Sequence, residues 1–415
     1  MGSLMVPVGL FTVAVLILFN LLSLPQSMTG FVHAVPYVSL FSAMALGYWF
    51  HRSRVVFMAL LLLTVHWFLR GHYVDTTPGY DALGQVAYAG LAVLIPINVI
   101  FITFMEERGI FTEKGVARLA GLALQAIVIA ALANTDVWLT PETATAVSTW
   151  AADLLHFRIF EKDYDLWTFL PQPALHLFIL AFGAMLYQVW RSRRAPAMEA
   201  GLLGATVAVA VALHLVGQGQ GSSLFLGVAG LSLLLSMAQD SYRMAFVDEL
   251  TGLPSRRALE NEMKRLGRNY AIAMLDVDHF KKFNDTYGHD VGDQVLRMVA
   301  GRLERGRRFG GRPFRYGGEE FTMVYPNLSR GAARERLDRV REDVANASFV
   351  IRDKDRPKDK PEAPQSGADN QTVSVTISIG VAEPDADHPT PAEVIKGADE
   401  ALYRAKDGGR NRVSE

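Results

Sequence analysis

The sequence predicts two fold classes in one chain: an all-α transmembrane helix bundle over 1–239 and an α/β domain over 248–415, joined by a short helical connector at 240–247. Three observations predict this. Half of the 415 residues are apolar. Charge is split, because residues 1–239 hold only 11 of the 41 lysines and arginines and a similarly small share of the acids. Beyond residue 248, short apolar runs with strand periodicity alternate with helical patterns, as in α/β domains.

A helix needs about 20 mostly apolar residues to cross a bilayer. Eight segments qualify: 4–24, 31–50, 54–70, 83–105, 117–135, 171–190, 200–217 and 222–239. The first lacks a basic leader and a small-residue cleavage site, so it reads as a retained helix and not as a signal peptide. Basic residues fall in alternate connections, His51-Arg52-Ser53-Arg54, then Arg108, Lys114 and Arg118, then Arg191, Arg193 and Arg194, and the intervening ones are nearly free of them apart from Arg70 and the long 136–170 loop. Basic loops stay inside, which puts both termini in the cytoplasm of a multi-pass protein of a bacterial inner membrane. Residues 136–170 read as a long loop whose Trp138, Trp150 and Trp167 form an interfacial aromatic belt. His33, His66, His176 and His214 lie in or near spans, where an ionisable group is a functional candidate. Their spacing is not that of a metal site, so they read as helix-packing donors.

Other classes are excluded. No cysteine is present, which rules out disulfides, thiolate zinc and cysteine-attached haem. A net charge of −1 gives no sign of a nucleic-acid partner. Residues 239–247 contain neither Pro nor Gly, so the last span can run on as one helix towards the soluble domain.

In that domain, 270–277 (YAIAMLDV) is a buried strand ending in an acid. Residues 291–305, 329–347 and 391–406 are helices; 313–316 and 321–325 are strands around Gly-Gly; 373–381 is an alternating strand. Residues 351–371 form a charged, proline-bearing surface loop. Two acidic clusters stand out: Asp276-Val277-Asp278-His279-Phe280-Lys281 at a strand end, and Gly317-Gly318-Glu319-Glu320-Phe321 between two strands. Paired glycines tolerate positive φ and leave the backbone approachable. Carboxylates converging from a strand end and a hairpin tip suit a hard cation such as magnesium, which shares its oxygens with substrate phosphates.

Together these motifs resemble the GGDEF family of diguanylate cyclases. The resemblance runs from Asp248 to Val413. It covers DELTGLP (248–254), DVDHFKKFNDTYGHDVGDQVL (276–296), RYGGEEF (315–321), SIGVA (378–382) and ADEALYRAKDGGRNRV (398–413). It implies a fold like that of the nucleotide cyclases and polymerase palms, a central antiparallel-mixed sheet flanked by helices. It implies condensation of two GTP into cyclic di-GMP and two pyrophosphates. By resemblance, Asp276, the Val277 carbonyl, Glu319 and Glu320 hold one or two Mg2+ ions, with Mn2+ as an alternative. By the same resemblance Glu319 and Glu320 are the catalytic residues, with Glu319 the proton acceptor from the attacking 3′-hydroxyl, a role not separable from metal activation, since a metal lowers the hydroxyl pKa without a dedicated base. Asn284 and Asp293 contact guanine, whose N1–H and N2–H2 donors suit such acceptors and are lacking in adenine. His289 and Gly318 lie on the substrate side, and Lys281, Lys406 and Arg410 lie near the phosphates. The two-fold symmetric product implies a C2 homodimer for catalysis.

Two departures matter. Where the family often carries Arg-x-x-Asp before the glycines, for inhibitory product binding, this chain has Arg308-Phe309-Gly310-Gly311, and 301–316 contain no aspartate. Ser255 replaces the usual asparagine after the entry motif, a position that is structural in the family. A catalytically silent nucleotide-binding module is the alternative reading, but silent members lose metal or glycine residues and here all are present. A transporter would show an inverted repeat or matched broken helices, and neither is evident.

Overall fold

The computed structural model describes residues 4–350 and 372–415, apart from 24, 74–81, 134, 161–167, 169, 192–195 and 218–219. The expected loop at 351–371 and Trp167 lie outside the described residues. The chain divides into two compact units, Met1–Ser241 and Tyr242–Glu415.

The first unit is all helical: α1 (Met5–Leu18), α2 (Thr29–Trp49), α3 (Ser53–Tyr73), α4 (Ala82–Phe104), α5 (Glu113–Ala133), α6 (Thr135–Trp138), α7 (Pro141–Leu155), α8 (Gln172–Arg191), α9 (Pro196–His214) and α10 (Gly221–Phe246). Among the described residues, seven helices are long and apolar enough to cross a membrane, and α1 is shorter. The first of the eight candidate spans is shorter than the sequence reading has it. Helix α1 stops at Leu18, and Asn20 takes a left-handed conformation with φ 56°. Fourteen residues rise about 21 Å, against a hydrocarbon core of about 30 Å. The expected loop 136–170 is also corrected. Its first half is helical, because Pro141 opens α7 at N1 and Ala144, Ser148 and Ala151 make a buried face at three- and four-residue spacing.

A layer of charge is built into this unit. Arg54 makes a bidentate pair with Glu199 at 2.6 and 2.9 Å and donates through Nε to the Ile102 carbonyl. Arg52 pairs with Asp240 of α10 at 3.0 Å. Glu107 accepts from the Ser53 hydroxyl and the Arg54 amide, capping α3. The four histidines are each hydrogen-bonded within the helical unit: His33 with Ser223, His66 with the His33 carbonyl, His176 with the Gln172 carbonyl and His214 with Thr168.

The second unit carries α11 (Arg256–Met263), β1 (Tyr270–Val277), α12 (Phe280–Tyr287), α13 (His289–Arg305), β2 (Arg312–Arg315), β3 (Glu320–Pro326), α14 (Arg330–Ala345), β4 (Phe349–Val350), β5 (Thr372–Val373), β6 (Ile377–Ala382), α15 (Pro391–Asp407) and β7 (Val413–Ser414). The main sheet has the order β2-β3-β1-β6-β7 and is antiparallel except for the parallel β6–β7 pair. The single strand expected at 373–381 is instead two. Thr372–Val373 pairs with β4 in a separate ribbon, while Ile377–Ala382 joins β1.

Strand parity explains the layers. Ala271, Ala273, Leu275 and Val277 pack with Val295, Val299, Leu337 and Val340 of α13 and α14. Tyr270, Ile272 and Met274 face the other way, with Val394, Ala398 and Leu402 of α15. Gly380 permits this second layer, since a Cβ there would stand 2.0 Å from the Leu402 amide and 2.1 Å from the Ala398 carbonyl. Thr390 and Glu393 form a reciprocal cap at the start of α15.

Candidate active site

Asp276 is the penultimate residue of β1, where the sheet delivers its buried strand to the surface. Its parity places it on the α15 face, and it is only 6% exposed. In register it stands opposite Glu320 of β3 and Ser378 of β6. Lys406, in the last turn of α15, reaches it at 3.0 Å. Burial raises the Asp276 carboxyl, the Lys406 ammonium lowers it, Asp278 raises it and Arg410 lowers it; burial prevails, and it titrates above its usual range.

The β2–β3 turn brings Glu319 and Glu320 to the same end of β1. The amides of Tyr316 and Gly317 both donate to the Glu320 carbonyl. Gly317 and Gly318 do not adopt positive φ, contrary to the usual reason for Gly-Gly at such a tip. At Gly317 a Cβ would sit 2.8 Å from Oε2 of Glu320, the movable end of that side chain, so a substitution there would displace the carboxylate. Nothing lies within 4 Å of a Cβ at Gly318, so that side of the turn is open to an approaching group. The turn is held from below by Arg315, which donates to the carbonyls of Gly317 and Gly318 and pairs with Asp248 at 2.9 Å. Burial works against the charge on Asp248, but the Thr251 hydroxyl and amide together with Arg315 outweigh it and lower its carboxyl.

Glu319 titrates above its usual range, through burial first and then the charge of Asp276, with Lys406 opposing and Glu320 adding. Three like charges therefore converge with one lysine among them, an arrangement that a cation relieves. Among the described residues, no three or more His, Cys, Asp or Glu side chains are grouped to hold an ion alone. An ion here must draw on backbone oxygen and on substrate phosphate, as magnesium does.

Asn284, on α12, has its Oδ1 buried without a hydrogen-bond partner. It occupies space left by Gly292 of α13, where a Cβ would lie 1.8 Å from that oxygen. An unpaired buried acceptor calls for a donor from outside the chain, water or ligand. Asp293 is the next residue on α13 and is half-buried. Gly288, with φ 85°, makes the break between the two helices.

The structure thus brings Asp276, Glu319, Glu320 and Lys406 together and sets Arg410 close enough for its charge to reach Asp276. Lys406, expected near phosphates, here lies on a carboxylate. Lys281 and His289 are exposed at the starts of α12 and α13. No hydrogen bond or ion pair among the described residues ties them to the carboxylates. Sequence reasoning gave no role to Asp278, Arg315, Thr376 or Gly292. The Asp-x-Asp parity, which puts 276 and 278 on one face, was the available signal for the first.

Comparison with known proteins identifies what the second unit is similar to. Residues 245–412 match the sequence family described as diguanylate cyclase, GGDEF domain. The response regulator PleD of Caulobacter vibrioides is 36% identical over 180 residues, which are 42% of this chain and 36% of PleD. The diguanylate cyclase VdcA of Vibrio cholerae is 39% identical over 172 residues, 41% of this chain and 46% of VdcA. The chain therefore spans less than half the length of either. Among solved structures, the coiled coil and GGDEF domain of DgcB from Caulobacter crescentus, in complex with c-di-GMP, is 33% identical. That match covers 44% of this chain and 91% of that one, with a TM-score of 0.38. Residues 245–412 are a GGDEF domain of the diguanylate cyclase family.

Proposed function

We propose that the chain is a membrane-anchored diguanylate cyclase that condenses two GTP into cyclic di-GMP and two pyrophosphates under the control of its helical unit. One observation carries the reading: three carboxylates meet at the end of β1 beside an open glycine turn, with an unpartnered amide oxygen on the adjoining helix pair. Seven long apolar helices support the anchoring in a bacterial inner membrane, and basic residues in alternate connections support a cytoplasmic C-terminus; both termini are cytoplasmic when α1 crosses as an eighth, short span.

Each residue then has a task. Asn284 Oδ1 and the Asp293 carboxylate accept from the guanine N–H donors, and adenine would leave them unpaired. Lys406, Arg410 and Lys281 neutralise triphosphate charge, and His289 and Gly318 border the substrate. Asp276, the Val277 carbonyl, Glu319 and Glu320 offer the oxygens for one or two Mg2+ ions, or Mn2+. An ion held by them would supply positive charge against the charge that develops during the transfer. The 3′-hydroxyl loses its proton as the bond to the α-phosphorus forms and pyrophosphate departs, with Glu319 as the acceptor or with the proton leaving to water from a metal-activated hydroxyl. One such site holds one GTP, and both bonds form only when two copies face each other as a C2 homodimer.

The test is direct. The purified full-length chain in detergent, given GTP and Mg2+, should yield cyclic di-GMP and pyrophosphate, with a rate per molecule that rises with protein concentration. Asp276→Ala and Glu319→Ala should each lower turnover by about a hundredfold or more. No product even at high protein concentration would favour the silent binding module, and activity retained in both variants would sink the metal assignment.

A further inference from the structure

The second acid of the Asp276-Val277-Asp278 sequence is not placed like the first. Asp278 is 7% exposed, and both of its carboxylate oxygens are already engaged. Oδ1 accepts from the Ser378 hydroxyl at 2.6 Å. Oδ2 accepts from the Thr376 hydroxyl at 2.6 Å and from the Asn411 backbone amide at 3.1 Å. Its own amide donates to the Thr376 carbonyl. Three donors on one buried carboxylate describe a structural anchor, not an oxygen pair open to an ion.

What it anchors is unusual. Arg410 and Asn411 are consecutive non-glycine residues in the left-handed region, with φ 63° and 44°. Side chains rarely adopt that conformation, and it persists where the surroundings impose it. Around this corner the Arg410 amide donates to the Ala405 carbonyl, Arg412 reaches the Arg410 carbonyl, and Ile379 of β6 donates to the Arg412 carbonyl. Those bonds belong to the end of α15 and the start of β7. The Asp278 contact is different in kind, because it is charge-assisted and joins the corner to the end of β1. That strand end also carries Asp276, on which the charge of Arg410 already acts.

We propose that Asp278 is a positioning residue for nucleotidyl transfer: it fixes the Arg410–Asn411 corner against β1 so that Arg410 meets the triphosphate. Thr376 and Ser378 complete the device by holding the carboxylate in the rotamer that reaches Asn411. The inference rests on the reading of Arg410 as a phosphate contact.

The experiment uses the full-length chain in detergent, with KM for GTP, kcat and the Mg2+ concentration for half-maximal rate measured on Asp278→Ala, Asp278→Asn, Arg410→Ala and the double variant D278A/R410A. Asp278→Ala should raise KM about tenfold, the size of one misplaced charged contact. Its Mg2+ requirement should stay at the wild-type value. Arg410→Ala should raise KM similarly, and the double variant should be no worse than Arg410→Ala, since two residues acting as one unit are not additive. Asp278→Asn retains an acceptor for Asn411 and should recover most of the loss; it also serves if the alanine variant does not fold. Multiplying KM effects in the double variant, or a Mg2+ requirement displaced by Asp278→Asn, would overturn the proposal. An impaired Arg410→Ala beside an Asp278→Ala with wild-type KM would overturn it alone. Wild-type KM in Arg410→Ala would instead remove the phosphate role of Arg410, and the proposal with it.

Discussion

Burial raises the Glu319 carboxyl above its ordinary range, and the charge of Asp276 raises it further. Asp276 is itself raised by burial, against the pull of Lys406. A carboxyl raised in the folded state keeps its proton at a pH where the unfolded chain has lost it. The contribution of these two carboxyls to metal-free stability is therefore full at acid pH and is lost as pH climbs from the ordinary carboxylate range through the raised values. Metal binding has the opposite sign, because it needs the ionised forms and must displace those protons. The Mg2+ concentration for half-maximal cyclase rate should rise as pH falls from neutrality towards the upper carboxylate range, by up to about tenfold per pH unit for each proton displaced. Glu319→Gln, whatever rate it retains, should show a shallower dependence in a direct Mg2+-binding titration. A flat profile in the wild type would contradict the convergence of charge on which the site is built.

At the scale of elements, β2 and the turn before it show why the product-inhibition motif is absent. Gly310 has φ 81°, and Gly311 packs beneath β3, where a Cβ would stand 2.5 Å from Met323 Cε and 2.9 Å from Tyr325 Cζ. The carboxylate is missing, and the space for it is filled by two side chains that are fully buried. Gly311→Asp should therefore lower stability by about 1–3 kcal/mol without conferring inhibition by cyclic di-GMP. Its denaturation midpoint and its rate under added product check both halves, and inhibition gained at wild-type stability would refute the packing argument. This element also marks the limit of what the sequence discloses. The missing aspartate is legible in Arg308-Phe309-Gly310-Gly311, but the filled space is not, because Met323 and Tyr325 reach Gly311 only through the β2–β3 register. The strands around Gly-Gly, the buried β1 and the long helices α13 to α15 were readable from period and punctuation. The break in 373–381 was not, since Val373 to Val381 alternates without interruption while its two ends pair with different partners. Helix α7 was hidden by its low apolarity: its buried face is made of Ala and Ser. Asn284 could be named from its motif, whereas the role of Gly292 in making room for it depends on two helices meeting across Gly288.

For the whole molecule, the question is how a helical unit could govern a site on the other side of Ser241. Helix α10 runs unbroken from Gly221 to Phe246 and so belongs to both units. In the first unit it is gripped at Asp240, which is 3% exposed and paired with Arg52 at the α2–α3 corner. Beyond its end lies Asp248, paired with the arginine that holds the carbonyls of the Gly317–Gly318 turn. Two ion pairs eight residues apart thus bracket the join, one at each unit. Arg52 is partly exposed, so removing the charge of Asp240 costs on the order of 1 kcal/mol, and a two-state element is commonly biased by only a few kcal/mol. If the chain has the proposed activity, Asp240→Asn should therefore shift its kcat severalfold. KM for GTP and the Mg2+ requirement should stay unchanged, since no group at the site is altered. Inserting two glycines after Met244 should erase the difference between Asp240→Asn and its parent, because a flexible joint transmits no rotation or tilt of α10. If Asp240→Asn matches the wild type in membranes, or if its effect survives the glycine insertion, control does not pass along this helix.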